Sequence, residues 1–151
     1  MLTAECLVCR ELRGEVAIPG GFLWEDEAAV AFHVPPVPGS ERRYLGHLIV
    51  VTRRHVARLG DLDDAEAAAV GRISARLARA LIEVAGADWV YSAVIGTGVA
   101  HFHQHLLPRY RDTPKDVAWH AVDEWDGAQL GDANAIVAFV ETLKRSIAGR
   151  R

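Results

Sequence analysis

Three histidines, His101, His103 and His105, alternate through the segment GTGVAHFHQHLLPRY. On a β-strand, successive side chains point to opposite faces. The spacing predicts three imidazoles on one face, with Phe102 and Leu106 turned to the other. Imidazoles gathered in this way are expensive to bury unless each finds a partner. Two chemistries suit them. A neutral imidazole is a competent nucleophile toward phosphorus, and its near-neutral pKa lets a neighbour carry protons at pH 7. Imidazole is also a good zinc ligand. Gly96 and Gly98 precede the strand, where glycine lets backbone N–H groups approach a phosphate closely. The combination suits a substrate with a phosphoanhydride or phosphoramidate bond.

The chain has two cysteines, Cys6 and Cys9, spaced as CxxC. One such pair cannot staple a chain of 151 residues. It reads as two buried thiols, a redox couple, or half of a zinc site. The redox reading lacks the flanking strand and helix of a βαβ unit. The zinc reading needs two further ligands for tetrahedral closure.

Composition and periodicity indicate what positions these groups. Half of the residues are hydrophobic, which argues against disorder. The length suits a single domain. A net charge of −3 gives no basic field for stable nucleic-acid binding. No apolar run approaches the roughly 20 residues of a membrane span. The N-terminus carries early acids and no long apolar stretch, so it does not read as a secretory signal. The expected location is the cytoplasm.

Residues 22–33 read as two strand pieces joined by an acidic turn at Glu25, Asp26 and Glu27. Residues 34–44 hold three prolines and form a loop without a regular ladder. Residues 47–52, HLIVVT, form a buried strand. Asp63 and Glu66 make a capping box for a helix with Val70, Ile73, Leu77, Leu81 and Val84 on one face. Gly86 stops it. Residues 89–95 and 101–107 are strands, the second ended by Pro108. Residues 110–130 are polar and irregular. A last helix begins near Asp132 and buries Ile136, Phe139, Val140, Leu143 and Ile147. The pattern is α+β with a mostly antiparallel sheet.

The run His101-Phe102-His103-Gln104-His105-Leu106-Leu107 resembles the signature of the histidine triad (HIT) family. The likeness extends upstream, to Trp24-Glu25-Asp26 followed by Val30-Ala31-Phe32. It continues through the Gly46-His47 and Arg54-His55 elements of residues 45–56 and the helix entry at residues 61–64. It covers residues 5–110, leaving a tail and helix at 111–151 within one domain.

The resemblance implies a HIT-like α+β fold. It implies a roughly five-stranded antiparallel sheet, a long helix and a C-terminal helix. It also implies a nucleotide hydrolase or nucleotidyl transferase that forms a nucleotidyl-histidine intermediate. His103 would attack the α-phosphorus, His105 would orient it and stabilise phosphate charge, and His47 would complete the cluster. The backbone near Gly98 would hold phosphate oxygens. In family members with CxxC, the metal set would be Cys6, Cys9, His55 and His101, a structural zinc because all four positions are filled. A homodimer is implied, with the helix at 64–85 near its interface.

Three positions depart from the family pattern. Gly98 replaces a hydroxyl residue, leaving Thr97 as the side-chain donor. Val34 stands where many members have a ribose-binding Asp. Gln104 replaces an apolar residue. Gln104, His33 and Arg109 are further expected substrate contacts, Arg109 because arginine suits phosphate. Two other readings remain: a non-catalytic nucleotide-binding protein on the same fold, and a zinc hydrolase using the histidine cluster as its metal site.

Overall fold

The computed structural model describes residues 5–149. The acidic turn forms as expected. The Asp26 carboxylate accepts the N–H groups of Ala28 and Ala29, each at 2.9 Å. This Asx turn closes a hairpin of Phe22–Glu25 (β1) and Ala29–His33 (β2). Leu48–Thr52 (β4), Ala87–Ala93 (β5) and His103–Tyr110 (β6) complete an antiparallel sheet in the order β1-β2-β4-β6-β5. β4 is buried along its whole length because the sheet is covered on both faces.

Alternation sorts the side chains. Ala29, Ala31, Leu48, Val50 and Leu106 face the main core. There the helix Asp64–Glu83 (α2) inserts Val70, Ile73, Leu77 and Leu81. Asp63 and Glu66 cap it reciprocally. The helix Ala133–Ala148 (α3), capped by Asp132, packs beside α2. Val30, Phe32, Ile49 and Val51 face the other way and form a second cluster with Val8. Val8 belongs to a short N-terminal helix, Leu7–Leu12 (α1).

Several boundaries differ from the expectation. Residues 34–44 end in a two-residue strand, Arg43–Tyr44 (β3), which pairs with Leu130–Gly131 (β7). Val84 lies past the end of α2 and is exposed, so it does not belong to the buried face. Val94 and Ile95 lie beyond β5 and are exposed. Pro108 does not end β6. Its carbonyl accepts the Tyr44 hydroxyl at 2.9 Å. A strand residue directs its N–H and C=O to the same side. The missing N–H of Pro108 therefore faces away from β5, where no ladder bond is lost.

Gly46 sits at the turn into β4 with φ +90°, a conformation that favours glycine. A Cβ there would lie 2.7 Å from the Tyr110 hydroxyl and 2.8 Å from the Pro108 ring. Gly46→Ala is expected to cost roughly 2–4 kcal/mol, from backbone strain plus overpacking. Urea unfolding measures this directly.

Candidate functional site

β4 and β6 carry the site. His105 lies opposite Ile49 and His103 opposite Val51, on the face turned away from α2. His103 Nδ1–H donates to the His101 carbonyl at 2.7 Å. A carbonyl can only accept, so Nδ1 holds the ring proton. In the neutral ring, Nε2 keeps its lone pair. His47 precedes β4 on the same face. Its Nε2 and the His105 Nδ1 are 2.9 Å apart, one ring N–H donating to the other's lone pair. Burial, reinforced by His105, holds His47 down to about 3. Burial first, and His103 second, lower His105. Both rings are uncharged at neutral pH.

His103 and His105 line an open cleft. Leu7, Val8, Val34, Val37 and Ile49 supply apolar walls, and Glu11 also borders it. Sequence reasoning missed Glu11. The signal was available: Glu11 follows Val8 by three residues, on the buried face of a short helix.

His101 is not part of the strand, contrary to the alternation argument. β6 begins at His103, and the Phe102 N–H bonds to the Val56 carbonyl. This draws His101 toward the N-terminal segment, where it is fully buried. Its Nε2–H donates to the Thr52 carbonyl at 2.7 Å, leaving a lone pair on Nδ1. That nitrogen lies 3.5 Å from Cys6 Sγ, 3.4 Å from Cys9 Sγ and 3.2 Å from His55 Nδ1. Cys9 Sγ is 3.3 Å from His55 Nδ1. All four donor atoms fall within 4.8 Å of one another. In a tetrahedron with zinc–sulfur bonds near 2.3 Å and zinc–nitrogen bonds near 2.05 Å, the edges are roughly 3.3–3.8 Å. The donor set and its spacing fit zinc.

Other expected contacts are placed elsewhere. Gln104 points to the α2 face, because alternation sets it opposite to its histidine neighbours. Its amide donates to the Ser74 and Ser92 hydroxyls at 3.1 and 2.7 Å. Arg109 is spent on the tail, donating to the carbonyls of Pro114 and Val117. Thr97 and Gly98 lie exposed in the loop from β5 to β6.

His33 also faces away from the cleft. It is 0 % exposed, beside Phe139 of α3. Its Nδ1–H donates to the Val34 carbonyl at 2.8 Å, and its Nε2 accepts the Gly46 N–H at 3.1 Å. Both ring nitrogens are thus used to fix the turn into β4. Burial lowers its pKa to about 4. The fold therefore favours neutral His33. Its contribution is complete above pH ~6.5 and is lost as pH falls toward 4, about 3 kcal/mol in all. His33→Gln is expected to be less stable at pH 7.5 yet to lose about 3 kcal/mol less on acidification. Urea midpoints at the two pH values check this.

Comparison with known proteins places this geometry. The family model described as "HIT domain" matches residues 16–112. An uncharacterized HIT-like protein of Mycoplasma genitalium is 28% identical over 113 residues, covering 72% of this chain and 75% of its own. The Bacillus subtilis "Protein hit" is 27% identical over 111 residues, covering 70% and 71%. A zinc-bound histidine triad family protein from Mycobacterium smegmatis superposes with TM-score 0.71 at 21% identity, covering 96% of this chain and 94% of that one. A hypothetical histidine triad nucleotide-binding protein from Sulfolobus tokodaii gives TM-score 0.73 at 19% identity, covering 95% and 93%. With its α+β fold, its five-stranded antiparallel sheet and a family match across most of that sheet, the chain belongs to the histidine triad family.

Proposed function

We propose that this protein is a nucleotide hydrolase or nucleotidyl transferase that works through a covalent intermediate on His103. The observation that carries the reading is the 2.7 Å bond from His103 Nδ1–H to the His101 carbonyl. It leaves the Nε2 lone pair that a nucleophile needs. Nε2 attacks the α-phosphorus, a P–N bond forms, and the bond to the leaving group breaks. The leaving group departs with the electron pair and takes up a proton from solvent. Water then attacks phosphorus and gives up a proton to solvent, the P–N bond breaks, and His103 recovers its lone pair as a nucleoside monophosphate leaves. A transferase would use another acceptor in place of water. His105, held by His47, orients His103 and supports the phosphate oxygens.

Cys6, Cys9, His55 and His101 would hold a zinc ion with no open position, which makes it structural. When bound, it ties α1 to the segment entering β6. The zinc reported for the Mycobacterium smegmatis relative supports this reading. His103 is outside the ligand set, which argues against a zinc hydrolase.

We also propose a homodimer. Ile82 and Val84 at the end of α2, Trp89 on edge strand β5, and Val94 and Ile95 beyond it are exposed apolar side chains. An open edge flanked by such residues favours association. The absence of a carboxylate at Val34 keeps a binding protein without turnover as the second reading. Release of nucleoside monophosphate from a panel of dinucleoside polyphosphates, nucleoside phosphoramidates and nucleotide sugars separates the two. Hydrolysis of none of them, with binding retained, favours the second.

A further inference from the structure

Arg42 and Arg43 stand where the proline-rich loop meets β3. With Val34, Ser40 and His47 they line a hollow beside the cleft. The Arg43 guanidinium is held in place. Its Nε–H donates to the Pro35 carbonyl at 3.1 Å, and its Nη1 donates to the Ser40 hydroxyl at 2.9 Å. Arg42 Nη2 donates to the Leu130 carbonyl, and Leu130 also lines the hollow. A guanidinium has five N–H donors, so both arginines keep spare ones. These neutral acceptors orient the two forks without cancelling their charge. Among the described residues, neither arginine forms an ion pair. Asp123 is the single acid lining the hollow, so positive charge is in excess there. Two oriented, unneutralised guanidinium groups in one concavity are built to receive an anion.

The hollow adjoins the reaction centre. Val34 lines both it and the cleft. His47 lines the hollow and is hydrogen-bonded to His105, which lines the cleft. From His103 to His105 and from His105 to His47, the ring centroids are 5.1 and 5.2 Å apart. The Arg43 charge is felt at His47, where it adds to burial, His105 and His33 in disfavouring the protonated ring. The hollow is thus two ring spacings from the candidate nucleophile. An α-phosphate at His103 does not extend that far, but phosphates linked to it do. A nucleotide held at its α-phosphorus has two other parts to place. The cleft has apolar walls and, among the described residues, no lysine or arginine, which suits the flat face of a base. The cationic hollow suits the leaving group.

We propose that Ser40, Arg42 and Arg43 bind the phosphates beyond the scissile bond, so that the substrate is a phosphoanhydride whose leaving group is itself phosphorylated. The inference rests on the nucleotide reading above and narrows it. Arginine takes phosphate oxygens through paired N–H groups, and Ser40 adds a hydroxyl. The bond that breaks joins the α-phosphorus to the bridging oxygen, and that oxygen keeps the electron pair. Negative charge on the leaving phosphates therefore grows in the transition state, where fixed cations stabilise it. An amine leaving group carries no negative charge and gains nothing from two arginines.

The test compares diadenosine tetraphosphate with adenosine 5′-phosphoramidate, which share a nucleoside and an α-phosphorus and differ in the leaving group. The wild type is expected to turn over the tetraphosphate. Replacing both arginines, Arg42→Gln with Arg43→Gln, should lower kcat/KM for the tetraphosphate by about 10- to 100-fold more than for the phosphoramidate. Asp123→Asn removes the opposing charge. It should raise kcat/KM for the tetraphosphate about 2- to 5-fold relative to the phosphoramidate, and it carries the test if the double variant does not fold. If the protein binds without turnover, the same ratios are read from the Kd values of the tetraphosphate and AMP. Ratios unchanged in both variants, or use of the phosphoramidate with none of the tetraphosphate, overturn the subsite. If His103→Ala still abolishes phosphoramidate turnover in that case, the nucleotide reading stands and only this inference falls. If neither compound binds or reacts, both fall.

Discussion

His103→Ala is expected to lower kcat/KM for nucleoside monophosphate release by between about 10⁴- and 10⁶-fold, the range for losing a covalent nucleophile. Nucleotide affinity should change little, since the apolar walls remain. Stability should fall by about 1 kcal/mol, the worth of the bond to the His101 carbonyl. The loss should therefore lie in kcat rather than KM. His105→Ala should be milder, because His105 orients and supports without forming the bond to phosphorus. Steady-state kinetics with a thermal melt of each variant separates a chemical defect from an unfolded one. Turnover by His103→Ala at the wild-type rate would refute the nucleophile assignment.

Cys9→Ser is expected to have the largest effect on stability. Cys9 is fully buried, and its sulfur touches both histidines of the cluster. Metal analysis of the wild type should give one zinc per chain, and the variant none. Structural zinc binding contributes folding free energy directly. Even a loss of about 3–5 kcal/mol would lower the melting temperature by roughly 10 °C in a chain of this size. Removing zinc from the wild type with a chelator should give a similar drop. The effect should reach the cleft, because Leu7, Val8 and Glu11 sit on the helix that the two cysteines anchor. KM should rise with the loss of that wall. Zinc retained after replacing both cysteines, but lost with His103, would instead make the histidine cluster the metal site.

Much of this architecture was legible in the chain. The Asp26 turn, the capping box at Asp63 and Glu66, and the start of the last helix at Asp132 depend on local hydrogen bonds, which short motifs encode. The adjacency of His47 and His105 followed from a family resemblance and could not be read from spacing. Strand alternation alone does not place a residue whose partners lie far along the chain. His101 leaves the alternation because the Phe102 N–H pairs with the carbonyl of Val56, which lies far off in sequence. Gln104 and His33 are polar, yet their face of the sheet packs against helices. Each is satisfied there by partners far along the chain, Ser74 and Ser92 for one and Gly46 for the other. Glu11 escaped notice because one charge in a six-residue helix looks like ordinary surface until the helix is seen lying over the sheet.

The central claim is that phosphorus becomes bonded to His103. Mixing the protein with a nucleoside phosphoramidate, quenching within milliseconds and mapping the modified peptide by mass spectrometry tests it directly. The account predicts a nucleoside monophosphate adduct on His103, formed and consumed at rates compatible with turnover and absent from His103→Ala. Product release with no adduct on His103, or an adduct on another residue, would contradict it.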